Sequence, residues 1–211
     1  MIRKNLWVRV GGASGVSLVV VYILATVLGT ILRPDYSNIR DSASELTETG
    51  APNKVIFDLM FGSHHLMLII FAVGFYFSLS CNTKRWIGPI LLGLAVLVGI
   101  VLTVLFPCDV GCEANPTTFW GKGHGVLVGI SALLVFLGLL ALSWSMRKNT
   151  NWEQFAKYTL ISAIFTLILA AASISLLDTQ YTGFGERIAL VPLFLWFVLA
   201  GYRLWNISYL R

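Results

Sequence analysis

The sequence predicts an all-α, polytopic integral membrane protein: one domain over residues 1–211, a bundle of six transmembrane helices with both termini cytoplasmic. Three observations lead there. The 211 residues are 57% hydrophobic and 12% charged, with a mean hydropathy of +0.80, whereas a water-soluble domain carries roughly 25% charged residues to cover its surface. Six apolar runs each approach the roughly 20 residues that take a helix across a hydrocarbon core about 30 Å thick. The basic residues gather on alternate connecting segments, the asymmetry that orients a multi-pass chain. The net charge of +5 and pI near 9.3 do not point to nucleic acid, because Lys and Arg flank the apolar runs instead of forming one solvated face.

The spans are expected at about 13–32, 55–80, 87–106, 124–146, 158–177 and 188–205. Helices fit and barrel strands do not: lipid offers no partner for free backbone groups, and runs such as LLGLAVLVGIVLTVLF do not alternate. The first run follows Arg3, Lys4 and Arg9 as a secretory signal would. Its apolar stretch is too long for one and no small-x-small site ends it, so it reads as an uncleaved span. The N-terminus, even loops and C-terminal end hold Arg3, Lys4, Arg9, Lys84, Arg85, Arg147, Lys148, Lys157, Arg203 and Arg211. Loops one, three and five hold only Arg33, Arg40, Lys54, Lys122 and Arg187, together with most of the acidic residues. The odd loops are therefore expected outside the cell and the chain in the plasma membrane. Trp7, Trp86, Trp144, Trp152 and Trp205 are expected at the inner interface, and Trp120 at the outer one.

Candidate chemistry lies in the odd loops. In the first, RPDYSNIRDSASELTETGAPNK, the acceptor-rich stretch Asp41, Ser42, Ser44 and Glu45 suits either a binding site or a solvated loop that caps a short helix. In the third, FPCDVGCEANPTTFWGKGH, Cys108 and Cys112 are close enough for a disulfide on an oxidising face, with Asp109 held between them. A metal reading with His124 competes, but an oxidised pair offers no thiolates. Cys81, on the cytoplasmic side, reads as a free thiol. His124 opens the fourth span, one position off a stripe of Gly121, Gly125 and Gly129 that would let another helix approach, from this bundle, a second copy or another membrane protein. Before the sixth span, Glu186 suits a helix N-terminus and Arg187 follows it. Inside the second span, Asp58, His64 and His65 are intramembrane ionisable groups, with Asp58 and His65 on one helix face. Haem between His65 and His124 is unexpected, since the two differ in depth by roughly 15 Å.

RPDYSNIRDSASEL after the first span, FPCDVGC after the third, His124, and GERI before the sixth resemble the bacterial and archaeal domain of unknown function 998 family over nearly the whole chain. That family is similar to the six-span Frag1/DRAM/Sfk1 group of eukaryotic proteins linked to lipid remodelling, with cytosolic termini. The resemblance implies the six-span fold and makes Ser44, Glu45, Asp109, His124, Glu186 and Arg187 the family's polar positions here. It implies no activity.

Three functions are weighed. The first is binding of outer-leaflet lipid headgroups by a mixed-charge rim, with Arg33, Arg40 and Arg187 on phosphate and Glu45, Asp109 and Glu186 on amines or sugars. The second is an intramembrane hydrolase acting on lipid. Either a divalent metal sits on Asp109, His124 and a Glu, or Ser44 is a nucleophile with His124 as base. The third is a transporter or proton relay through Asp58 and His65.

Overall fold

The computed structural model describes residues 2–79 and 85–208. They form six α-helices: α1 (Ile2–Leu32), α2 (Lys54–Ser78), α3 (Ile87–Leu105), α4 (Phe119–Met146), α5 (Glu153–Ser173) and α6 (Thr182–Ile207). There is no strand among the described residues. All six are long and apolar enough to cross a membrane, and the protein is a multi-pass membrane protein. Cys81, Lys84 and Arg211 lie outside the described residues.

Several helices begin earlier than the apolar runs that announce them. At α4 the reason is a double cap. Thr118 Oγ1 accepts the Gly121 N–H (3.0 Å), and the Asp109 carboxylate accepts the N–H groups of Thr117 (2.9 Å) and Thr118 (3.0 Å). These satisfy donors that the first turn leaves without partners. His124 therefore does not open the helix but sits more than a turn inside it.

Each helix packs on the next, and α1 also packs on α6, so the six close into a ring. The closure depends on bare backbone. A Cβ on Gly11 would lie 2.7 Å from Gly74 Cα in α2, and one on Gly12 would lie 2.7 Å from the Gly201 carbonyl in α6.

At the end of the ring that carries the termini, the centre is filled by aromatic side chains. Phe75 lies between Trp152 (centroids 4.6 Å apart) and Trp196 (5.8 Å, nearly parallel), and Phe71 meets Phe75, Trp196 and Phe197 edge-on. Trp196 Nε1 donates to Thr159 Oγ1 (2.9 Å), which fixes the ring's orientation. Trp152 thus departs from its expected place at the lipid interface, being 0% exposed within this plug. Trp7, Trp86, Trp144 and Trp120 are exposed as an interfacial belt requires.

The opposite end, which carries loops one, three and five, is filled on the α1–α2 side by Tyr36, Leu46 and Phe57 but is open between α4 and α5. Between His124 and Gly138 no residue of α4 is buried, and none of α5 is buried beyond Ala163. The two helices are joined near the termini end, where Ser143 Oγ donates to the Ala156 carbonyl (2.8 Å) and Thr159 meets Met146 Sδ (3.3 Å). Toward the loop end they part.

Candidate functional site

The odd loops converge over that open end. The first loop docks on α6. The N–H groups of Gly183 and Phe184 donate to the carbonyls of Arg40 (3.1 Å) and Ile39 (2.8 Å), and a Cβ on Gly183 would collide with the Asp41 carbonyl oxygen. The same loop docks on the third. Thr49 N–H donates to the Cys108 carbonyl (3.2 Å), and the buried Glu48 accepts from Gly111 N–H (2.5 Å) while pairing with Arg33 (3.1 Å). Loop three reaches loop five through Ala114 N–H and Asp178 (2.9 Å). Cys108 and Cys112 are bonded as a disulfide, with their Cα atoms 5.1 Å apart.

Two candidate side chains from the sequence meet directly. His124, 8% exposed, places Nε2 3.3 Å from Ser44 Oγ and Nδ1 2.8 Å from the Phe106 carbonyl. Glu186 stands beside this pair, accepting from the Ala43 N–H (2.9 Å) and from the Tyr22 hydroxyl (3.3 Å).

The remaining candidates are held elsewhere. Asp109 caps α4, and the Thr118 hydroxyl followed by the Thr118 and Thr117 N–H groups holds its carboxyl below the usual range. Its carboxylate also fills the space above Gly121, while Gly125 and Gly129 have nothing within 4 Å. Among the described residues no helix packs closely on Gly125 or Gly129. Among the described residues no three His, Cys, Asp or Glu side chains gather as metal ligands, so the trio of Asp109, His124 and a Glu, one version of the hydrolase reading, is not assembled. Arg40 is spent on Asp41 and the Asp35 carbonyl. Arg33 is spent on Glu48 and the Glu45 carbonyl (2.5 Å). Arg187 donates to Tyr36 OH (2.5 Å), Asn38 Oδ1 (2.7 Å), Asp41 O (3.0 Å) and Gly183 O (2.9 Å). These arginines brace the loops. Asp58 lies near the start of α2 and pairs with Lys54 (2.9 Å), and His64 Nδ1 contacts the Leu18 carbonyl (2.9 Å). The pairing of Asp58 with Lys54 leaves it out of any direct link to His65.

Glu45 accepts the Ser42 N–H (2.8 Å) and so closes the start of the 3-10 helix Ala43–Thr47. The stretch does form a short capped helix, but it is docked on its neighbours and not solvated, with Asp41 buried. Burial raises the Glu45 carboxyl to about 7, with Asp41 and Glu48 adding to the effect and the Ser42 N–H and Arg33 opposing it. The folded protein then binds this proton more tightly than the unfolded chain. Its stabilising contribution is present near and below the ordinary carboxyl value of 4.5 and fades as pH rises toward 7. Glu45→Gln should flatten the fall in melting temperature between about pH 5 and about pH 7.5, by an amount worth about 1 kcal/mol after solvent screening. Identical pH profiles for both proteins would contradict this.

Below the converged loops, the gap between α4 and α5 is a cavity of about 480 Å³. Its wall is mostly apolar, with Leu102, Val128, Phe136 and Leu190 among its members, and Glu186, Ser131, Thr166 and His65 are its polar points. A groove of about 590 Å³ between α2 and α3 is larger, but its lining is apolar apart from Tyr76, whose hydroxyl already accepts from Arg85 (3.0 Å).

The sequence reading missed Tyr22, Tyr36 and Glu48, whose partners come from distant parts of the chain, and it missed the cavity. A buried polar role for Tyr36 had one visible signal, an aromatic residue within the most polar loop. Burial pushes its phenol well above the usual range, with the Arg187 guanidinium opposing, so it stays a neutral donor to the Ser42 carbonyl (3.1 Å).

Comparison with known proteins places this architecture in a family. Residues 16–203 match the family described as "Protein of unknown function (DUF998)", and the chain belongs to it. The branched-chain amino acid permease BrnQ of Haemophilus influenzae is 24% identical over 170 residues, 73% of this chain. The matched stretch covers 36% of that permease's length. No solved structure matches the chain.

Proposed function

Starting from membership of a family without an assigned activity, we propose that this protein binds a membrane amphiphile taken from the outer leaflet. The amphiphile's chain lies in the cavity between α4 and α5, and its polar head lies beside Glu186 under the converged loops. The observation that carries this reading is the cavity itself: about 480 Å³, mostly apolar, with a carboxylate on its wall. Binding sites for small amphiphiles have this size and this ratio of apolar wall to oriented polar groups.

The parting of α4 and α5 supports entry from the side, since no residue of α4 between His124 and Gly138, and none of α5 beyond Ala163, is buried. The head group is better matched by an amine or hydroxyl donating to Glu186 than by a phosphate, because Arg33, Arg40 and Arg187 are committed within the loops. A carboxylate has lone pairs beyond the two bonds that Glu186 already accepts. The outer-leaflet assignment, with cytoplasmic termini in the cell membrane, draws support from the basic excess at the termini end and from the disulfide at the loop end. Transport finds less support, because the aromatic plug fills the ring at the termini end.

The test is lipid analysis of protein purified in mild detergent. Wild type should retain one amphiphile class about tenfold above its share of the membrane extract, and Ala170→Trp, which puts an indole into the cavity, should remove that enrichment. Bulk composition in both proteins would refute the reading.

A further inference from the structure

We propose that Ser44 and His124 are a nucleophile and base pair that transfers the acyl group of an ester-linked amphiphile. The substrate rests on the cavity reading above, whereas the chemistry rests on separate geometry. A backbone carbonyl can only accept, so the contact between His124 Nδ1 and the Phe106 oxygen (2.8 Å) puts the neutral ring's proton on Nδ1. Nε2 then presents its lone pair, and Ser44 Oγ, 3.3 Å away, is the donor facing it. This is the arrangement that activates a serine, with the carbonyl doing the orienting that a carboxylate does in a triad.

Position adds a second argument. Val128, Ala132 and Leu139 carry the cavity wall along α4, and His124 precedes Val128 by one helical turn on the same face. Ser44 follows Ala43, whose N–H is bonded to the cavity-wall residue Glu186 (2.9 Å). The hydroxyl thus stands at the loop end of the space where an acyl chain would lie. Fastening the first loop does not require this contact, since Thr49, Glu48, Ala43 and Arg187 already tie that loop to its neighbours.

The step balances without a further reagent. Ser44 Oγ attacks the ester carbonyl carbon while its proton passes to His124 Nε2. The tetrahedral adduct collapses, the C–O bond to the alcohol breaks, and His124 returns the proton to the leaving oxygen. The acyl group remains on Ser44. Water then gives a proton to His124 and attacks the acyl carbon, and the proton restores the Ser44 hydroxyl as the fatty acid departs. A second alcohol in place of that water would make the reaction a transfer between lipids.

The experiment uses the full-length protein in phospholipid nanodiscs, treated with an alkyl fluorophosphonate and, separately, with p-nitrophenyl octanoate. The expected result is a phosphonyl adduct on the Ser44 peptide by mass spectrometry. The adduct should be absent in Ser44→Ala and form about 100-fold more slowly in His124→Gln, with a matching loss of ester turnover. No adduct on Ser44 in well-folded wild type overturns the proposal without reliance on any variant, and so does labelling of His124→Gln at the wild-type rate. Lipid retention separates the two readings. An enriched amphiphile with no adduct removes the acyl-transfer pair and leaves the binding site, whereas an adduct without amphiphile enrichment removes the cavity reading and leaves the pair.

Discussion

Arg187→Ala should lower the stability of the purified protein by about 3–5 kcal/mol, read as a shift in thermal melting in detergent. Four acceptors depend on its guanidinium: Tyr36 OH, Asn38 Oδ1 and the carbonyls of Asp41 and Gly183. Three of these belong to the first loop, so the side chain supplies half of the polar ties between that loop and α6, beside the bonds of Gly183, Phe184 and Glu186. Each bond to a charged donor is worth about 1.5–3 kcal/mol, and bonds sharing one donor do not add in full. Arg187→Lys keeps the charge but not the planar fork, and should recover less than half of the loss. Tyr36→Phe removes one of the four acceptors, so the cost of Arg187→Ala should be smaller in that background. Amide exchange should quicken across the loop residues before Ser44 in the alanine variant. Melting within about 0.5 kcal/mol of wild type would show that the loop holds without this residue.

The membrane-spanning architecture was legible because one physical requirement, a long apolar helix, writes itself locally into the sequence. The order of the six helices and the Cys108–Cys112 pair follow from local runs and local spacing. The helix ends were less legible, because a cap can come from a residue well outside the helix. Asp109 caps α4 from the third loop, and that cap moves His124 inward.

The depth of Trp152 was also hidden, since the same residue type serves a lipid interface or a buried plug according to what stands opposite it. The site shows the limit most clearly. Ser44 and His124 were both candidates, but their contact joins positions 80 apart in sequence, and the Phe106 carbonyl that sets the histidine's tautomer leaves no trace in residue identity. Asp109 and Arg187 drew attention for their charge, yet that charge is spent on bracing. A cavity is harder still to read from sequence, because it is a place where the chain fails to meet itself.

Glu48→Ala should cost about 3–5 kcal/mol, the range for removing one partner of a buried ion pair. The Arg33 and Glu48 side chains are 17% and 7% exposed, so the variant would leave a largely desolvated guanidinium without its counter-charge. It would also free the Gly111 N–H, whose residue has φ +80 and lies inside the disulfide loop. Arg33→Met together with Glu48→Leu removes both charges and should recover much of the stability lost in Glu48→Ala. A double variant no more stable than Glu48→Ala would mean that the Gly111 contact, not the ion pair, carries the effect.

The consequence for the site is specific. Glu48 and Thr49 hold Cys108 and Gly111 against the first loop, and Phe106, two residues before Cys108, supplies the carbonyl that orients His124. Loosening this junction should slow fluorophosphonate labelling of Ser44 even at temperatures where the helices remain folded. Arg187→Ala, acting from the α6 side, loosens Ser44 without disturbing Phe106. If the two variants cost similar stability, Glu48→Ala should therefore give the greater loss of labelling. Equal losses would place the control of His124 somewhere other than the third loop.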